Sequence, residues 1–566
     1  DKQRGSAKTH VSHGSISDRK LSTFEDMPAG RVEVGEDKTM ARCLELRGKT
    51  TIVSDLPLEP DYVLISRDHT KKGKFYFRRN LKTGEETFFA RQGAGEELEF
   101  SRIDQRILLK KDTRYVDGEW IQRVFFPDPN GTLELHDNFT EKLIDRRTPT
   151  IDIEETLDGN VRYFVRSQTL EDQGKRGLYA YDPSIRQFSD GPLLLPPEDQ
   201  NITTLLFSDR PEDYGKLIGY WLGKDYEVPY WLDPELNAIQ TSLNAQFPGL
   251  HVLISDMSLD RRRMVITVSA AHYPPVHFLL VDKSKLIPIG SSRPWVKPEQ
   301  LGKRIFTSYT ARDGLEIPTY LTLPPGYKKG DRTRGAIILP HGGPWVRDYN
   351  GYDESGWVQY FANRGFVVLQ PQYRGSQGIS HELWLAGDNE WGLKMQDDKD
   401  DGAKWLVDQG YVEADRIAIH GYSYGGFAAM AASVRPNSPY QCAIAGAGVS
   451  NIDRLANTWS RDRLRRLYQG RTISGMNPSD NTDKVNIPIL IYHGNHDARV
   501  PLWHGTEFYN AIKNKSPKSE LVIFDKMGHG RDLWQPGQVA EVLENVERFL
   551  STTCGLGPIT PDSESS

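Results

Sequence analysis

The hydrophobic pattern changes twice along the 566 residues. Residues 1–42 are polar, rich in Lys, Asp, Ser and Gly, and hold no period, which predicts an irregular, partly disordered arm. From residue 43 to 295, short alternating apolar runs are each closed by Asp, Asn, Gly or Pro, and helical periodicity is nearly absent. From residue 296 to 550, wholly apolar runs of strand length alternate with helical stretches, as in a parallel sheet covered on both faces. The tail 551–566 is polar, carries two prolines and is expected to fray.

The middle region repeats weakly. Phe75 to Asn80, Val124 to Asp128, Leu178 to Asp182, Tyr230 to Asp233 and Phe278 to Asp282 each read as an aromatic or aliphatic strand ending at an Asp or Asn turn. The turn residues recur about every 50 positions. A strand-rich repeat of that length predicts an all-β propeller, one four-stranded blade per repeat; an irregular β-sandwich is the alternative. Five repeats are visible, and the blade number stays open.

In the last region, a hairpin over 306–323 turns at Arg312-Asp313-Gly314. Strands follow at 336–339, 366–370, 417–419, 443–447, 489–492 and 521–524, with helices at 357–363, 403–409 and 539–550. The stretch 417–430, Ile-Ala-Ile-His-Gly-Tyr-Ser-Tyr-Gly-Gly-Phe-Ala-Ala-Met, predicts a strand, a very tight turn and a helix. Gly421 and Gly425 flank Ser423 where a Cβ would obstruct that turn, the nucleophile-elbow pattern of α/β-hydrolases. The fold class read here is an α/β-hydrolase C-terminal domain, doubly wound on a mostly parallel sheet, with an N-terminal all-β propeller.

Composition narrows the choices little. The net charge of −6 and scattered Lys and Arg predict no nucleic-acid partner, and the Arg cluster 461–466 reads as a solvated helix face. No apolar run is long enough for a membrane span, and no signal-peptide apolar region is visible. The start at Asp1 points to a processed or trimmed terminus. Cys43, Cys442 and Cys554 are too few and odd in number for a disulfide framework, so all three are expected to be structural thiols, Cys442 buried in a strand.

A serine hydroxyl needs a base within hydrogen-bond reach, and the base needs an orienting carboxylate. Asp497 follows the strand 489–492 and His529 follows the strand 521–524, so Ser423, Asp497 and His529 occur in the order that α/β-hydrolases use, at strand C-terminal ends. The backbone N–H of Tyr424 is one expected oxyanion donor. The second is expected from Gly342 or Gly343 in the glycine-rich His341-Gly-Gly-Pro-Trp after the strand 336–339.

Competing residues are assigned elsewhere. His493 and His496 lack the further ligands a metal needs, so neither a metal nor any cofactor is expected. His420 is read as packed, Asp525 as a turn residue, and the acidic run 397–401 as a solvated face at a helix start.

Taken together, residues 305–550 resemble the prolyl oligopeptidase family of serine peptidases. The resemblance rests on Ala311-Arg-Asp-Gly-Leu-Glu-Ile-Pro, His341-Gly-Gly-Pro-Trp, Gln372-Tyr-Arg-Gly-Ser, Trp391-Gly, Gly421-Tyr-Ser-Tyr-Gly-Gly-Phe, His493-Gly-Asn-His-Asp and Gly528-His-Gly. The His-Gly-Gly-Pro form is most similar to the acylaminoacyl peptidase and bacterial dipeptidyl peptidase branch. In that branch a glycine N–H replaces the oxyanion tyrosine that other branches carry where His341 stands. The resemblance implies a propeller covering a hydrolase site and short peptide substrates; family members often assemble, and whether this chain forms a homo-oligomer stays open. No double-glutamate motif for gripping a peptide N-terminus is evident. The expected activity is hydrolysis of short peptides through an acyl-enzyme on Ser423, releasing N-terminal acyl-amino acids or dipeptides. A carboxylesterase or lipase using the same three residues is the alternative, and a silent hydrolase domain on a binding propeller is a third reading. The compartment is open, with a periplasmic or secreted location preferred to the cytoplasm.

Overall fold

The computed structural model describes residues 50–557 apart from 70–72, 147–149, 168–176, 198–199, 224, 329, 332 and 456–468. The polar arm, Cys43 and the Arg cluster 461–466 therefore lie outside the described residues. The chain divides into two compact units. One comprises Asp1–Leu143, Ile153–Tyr163 and Tyr181–Gln187, and the other Ile144–Asp152, Phe164–Ala180 and Phe188–Ser566.

Up to Ser291, the strands form five small antiparallel sheets in succession, four of them with four strands or more and one with three. Each repeat segment of the sequence is the third strand of its own sheet: Gly73–Asn80, Glu119–Pro127, Gly177–Asp182, Glu227–Trp231 and Tyr273–Val281. In the fourth sheet, Asp233 does not turn the chain into a fourth strand. It caps a helix, Pro234–Gln246, by accepting from the N–H groups of Glu235 and Leu236, with Pro234 in the first turn. This helix corrects the reading of the region as free of helices. Asp-Pro-Glu is a helix start as well as a turn, and burial of Leu236 and Leu243 settles it as the former.

The last sheet has eight strands: β1 (Arg304–Thr310), β2 (Glu316–Thr322), β3 (Gly335–Ile338), β4 (Phe366–Pro371), β5 (Ile417–Tyr422), β6 (Cys442–Gly446), β7 (Ile489–Gly494) and β8 (Glu520–Phe524). Their order is β1-β2-β4-β3-β5-β6-β7-β8. The β1–β2 and β2–β4 pairs are antiparallel and the rest are parallel. Helices α1 (Trp357–Asn363), α2 (Lys394–Asp408), α3 (Tyr424–Val434), α4 (Trp503–Ile512) and α5 (Pro536–Thr552) accompany it. Strands buried on both faces need no polar alternation, and β3 to β7 have almost none. Ile417 and Ile419 of β5 enter one apolar layer with α3, while Ala418 enters the other with α5. Every residue of α3 is buried, which its Gly and Ala content permits: a Cβ on Gly426 would come within 2.5 Å of Gly446 O.

Two expectations are corrected here. Cys442 and Cys554 form a disulfide rather than standing as thiols. They are 112 residues apart in sequence, and it is the packing of α5 against the sheet that brings the second cysteine to β6. The chain also stays packed beyond residue 551: Cys554 and Leu556 are buried, and Arg334 Nε donates to Leu556 O at 2.6 Å.

Candidate active site

β5 ends at Tyr422, and Ser423 takes φ 61° and ψ −116°, a region that costs an ordinary residue energy unless its surroundings enforce it. The enforcement is visible. A Cβ on Gly421 would lie 2.4 Å from Gly425 C, and one on Gly425 would lie 2.4 Å from Pro340 O. Ser423 N–H donates to Gly446 O at 2.8 Å, and Phe427 N–H donates to Ser423 O at 2.9 Å, closing the first turn of α3. The hydroxyl is thereby lifted off the end of β5.

His529 Nε2 stands 3.0 Å from Ser423 Oγ, and His529 Nδ1 stands 2.6 Å from Asp497 Oδ2. With Nδ1–H donating to Asp497, Nε2 is free to accept from the serine. The loops carrying these side chains are laced together. His496 N–H donates to Met527 O at 3.1 Å, and Lys526 N–H donates to Asn495 Oδ1 at 2.7 Å. Tyr422 Oη donates to His529 O at 3.0 Å.

Asp497 is buried and fully engaged. Its Oδ1 accepts from the N–H groups of Arg499 at 2.9 Å and Val500 at 2.8 Å. Burial opposes its charge, but hydrogen bonding from His493, His529 and Val500 outweighs burial and holds the carboxyl far below the usual carboxylate range. His493 Nε2 donates to Val500 O at 2.8 Å and lies 3.6 Å from Asp497 Oδ2, so it props the acid from behind.

The loop after β3 lies against the elbow. A Cβ on Gly342 would be 3.2 Å from Tyr422 O and 3.5 Å from Ser423 Cβ. Gly343 has φ +112° and lines a cavity together with Ser423 and Tyr424. Tyr424 opens α3, where N–H groups have no partner inside the helix. His341 is turned to other work: its ring contacts Gly342 O at 2.8 Å and Ser376 Oγ at 2.9 Å, and stacks on Tyr373 at 4.4 Å. Burial lowers its pKa.

The cavity beside Ser423 is walled by Trp345, Trp391, Val449, Leu455 and Ile473, with Arg499 among its lining residues. Trp391 packs edge-on against Tyr424 at 4.7 Å. These wall residues come from four separate stretches of chain. Only Trp345 and Trp391 stand inside motifs recognisable in the sequence.

His420 is packed, with Nε2 3.2 Å from Tyr492 Oη. Asp525 accepts from Asn495 Nδ2 at 2.9 Å at a turn. The acidic run 397–401 departs from the expected solvated face. Asp398 and Lys399 are wholly buried. Asp398 takes a bidentate grip from Arg374 Nε and Nη2, while Nη1 and the same Nη2 reach Asp313 at 2.8 and 2.9 Å. Arg435 and Arg312 hold Asp397. A carboxylate can turn inward when a guanidinium from another element meets it, and Arg374 supplies that from the loop after β4.

Residues 353–556 match the model of the prolyl oligopeptidase family. The hydrolase domain is of the prolyl oligopeptidase family. The dipeptidyl aminopeptidase BIII of Pseudoxanthomonas mexicana is 31% identical over 404 residues, covering 66% of this chain and 55% of that protein. The acylamino-acid-releasing enzyme of Mus musculus is 25% identical over 237 residues, covering 39% of this chain and 31% of its own. The chain thus spans about half the length, or less, of these curated relatives. A crystal structure of puromycin hydrolase superposes with a TM-score of 0.66 at 18% identity, covering 91% of this chain and 80% of that one. The fold class is accordingly an α/β-hydrolase with an N-terminal β-propeller. Among the described residues, no helix is long and apolar enough to cross a membrane.

Proposed function

We propose that this chain is a serine peptidase that cleaves short peptides by acyl transfer through Ser423. One observation carries the reading: the unbroken contact from Asp497 through His529 to Ser423, at 2.6 and 3.0 Å, ending on a serine held at a strained elbow. In this mechanism, His529 Nε2 takes the Ser423 proton as Oγ attacks the scissile carbonyl. It then delivers that proton to the leaving amine, so the C–N bond breaks and an acyl-enzyme remains. Water, activated by the same nitrogen, releases the acyl group. Asp497 keeps the proton on Nδ1 and stabilises the imidazolium between the two transfers. Tyr424 N–H and an N–H of Gly342 or Gly343 meet the developing oxyanion, where loss of one donor costs about 10²–10³ in turnover.

The apolar walls of the adjoining cavity favour a substrate with a large apolar side chain next to the cleaved bond. The relatives' names support release of a dipeptide or an acyl-amino acid from a peptide N-terminus. The Cys442–Cys554 disulfide supports an oxidising location such as the periplasm or the exterior.

Ser423→Ala is expected to abolish cleavage of peptide anilides and labelling by a fluorophosphonate, with the melting temperature unchanged. Full activity in that variant sinks the mechanism. Comparing one peptide free and N-acetylated then separates dipeptide release from acyl-amino-acid release. An enzyme active on simple esters but inert to every short peptide would turn out to be the carboxylesterase.

A further inference from the structure

Lys399 is a wholly buried amine on α2 that the proposed acyl transfer does not use. Its Nζ donates to Met395 O at 2.5 Å and lies 3.5 Å from the centroid of the Tyr373 ring and 5.3 Å from that of Tyr424. Those two rings stack on each other at 5.3 Å with an interplanar angle of 25°. Tyr373 stacks on His341 at 4.4 Å and donates its hydroxyl to His341 O at 2.8 Å. One ammonium thus contacts the aromatic layer beneath both segments expected to present oxyanion donors, the loop after β3 and the first residue of α3.

A buried lysine demands compensation, because an apolar side chain of the same length would fill the space without desolvating a charge. The compensation is in place. Arg374 is gripped by Asp398 and Asp313, with Lys394 also 3.8 Å from Asp313, and Asp398 in turn pulls on Lys399. Asp400 lies near it as well, held by Tyr440 and Arg435. Burial lowers the amine's pKa, and the pull of Asp398 and Asp400 opposes that and favours the ammonium. The quadrupole of each ring draws a cation to its face, which adds a directional attraction to the packing of the rings.

We infer that Lys399 is a positioning residue for the oxyanion site, holding Tyr373 and Tyr424 so that the N–H groups around Ser423 are aimed before substrate arrives. It acts through those rings and does not touch the substrate. The inference rests on the acyl-transfer reading above.

The test is Lys399→Met, which keeps the length and removes the charge, with turnover counted per active site titrated by a fluorophosphonate. We expect kcat to fall at least tenfold and KM to stay within twofold. The affinity of a peptide boronate, which forms a tetrahedral adduct on Ser423, should fall in proportion to kcat. Lys399→Arg, which keeps a cation at the ring, should retain more turnover than the Met variant. A Met variant with unchanged kcat per titrated site, however much its melting temperature drops, shows a packing role and overturns the inference. Should Lys399→Met not fold, Tyr373→Leu removes the ring instead; it is expected to reproduce the loss, and unchanged turnover there also overturns it. Failure of the fluorophosphonate to label the unaltered protein refutes the acyl-transfer reading itself, a distinct outcome.

Discussion

Cys442, in the interior of the sheet on β6, is bonded to Cys554, two residues beyond the end of α5. The bond closes a loop that includes β7, β8 and the Asp497 and His529 segments. Cross-linking so long a loop restricts the unfolded chain, so Cys442→Ala or Cys554→Ala is expected to lower stability by about 2–5 kcal/mol. Urea denaturation measures this. Thiol titration in denaturant should find two more thiols per chain after reduction than before it.

Asp497→Asn preserves shape but reverses the hydrogen-bonding demand on His529 Nδ1. The imidazole is then driven toward the tautomer that cannot accept from Ser423. A fall of about 10⁴ in kcat is expected, with KM little changed. Steady-state kinetics on a peptide anilide checks it, and a fall of less than tenfold would remove Asp497 from its role.

Gly425→Ala would drive a methyl to within 2.4 Å of Pro340 O, a backbone atom that cannot swing aside. The elbow or the loop after β3 must shift. We expect a destabilisation of about 1–3 kcal/mol together with loss of most activity, since both Ser423 and the loop after β3 depend on this approach. Calorimetry and active-site labelling on the same sample report the two effects separately.

Acid should weaken the fold through its buried histidines, against an opposing share from Asp400, whose carboxyl burial raises to about 6. His420 and His504 are buried, and burial pushes the pKa of each down to about 3. Unfolded, they bind protons near pH 6.5, so between about 6.5 and 3 the unfolded chain holds more protons than the folded one. Their contribution is therefore complete above pH 6.5 and is lost as pH falls, with a slope of about 1.4 kcal/mol per pH unit for each group inside that window. Asp497, with its depressed carboxyl, adds a loss only below the ordinary carboxylate range. Denaturation curves between pH 7 and 4.5 should show the slope, and His420→Gln should flatten it by one group's share.

Much of the hydrolase was legible because its signals are local. Short apolar runs identify strands that are covered on both faces. Ser423 sits between Gly421 and Gly425 because only glycine allows the turn, and that requirement is readable from a few consecutive residues. The five repeats are legible for the same reason, since four end at an Asp or Asn turn and the remaining one at Asp233, whose side chain caps a helix instead. The helix Pro234–Gln246 was missed because Asp-Pro-Glu suits a turn and a helix start alike, and only the packing of Leu236 and Leu243 separates them.

What the sequence determined by itself was the order of elements and the placing of Ser423, Asp497 and His529 at strand ends, since backbone sterics and hydrophobic period act over a few residues. Tertiary structure alone decided which polar groups are solvated and which are paired. Asp398 became a buried ion because Arg374 arrives from another strand's loop, Cys442 found Cys554 because α5 packs on the sheet, and Lys399 came under Tyr373 and Tyr424 because α2 and α3 share one side of it. Partners distant in sequence leave no local trace, and the free energy of burying a charge depends on them entirely.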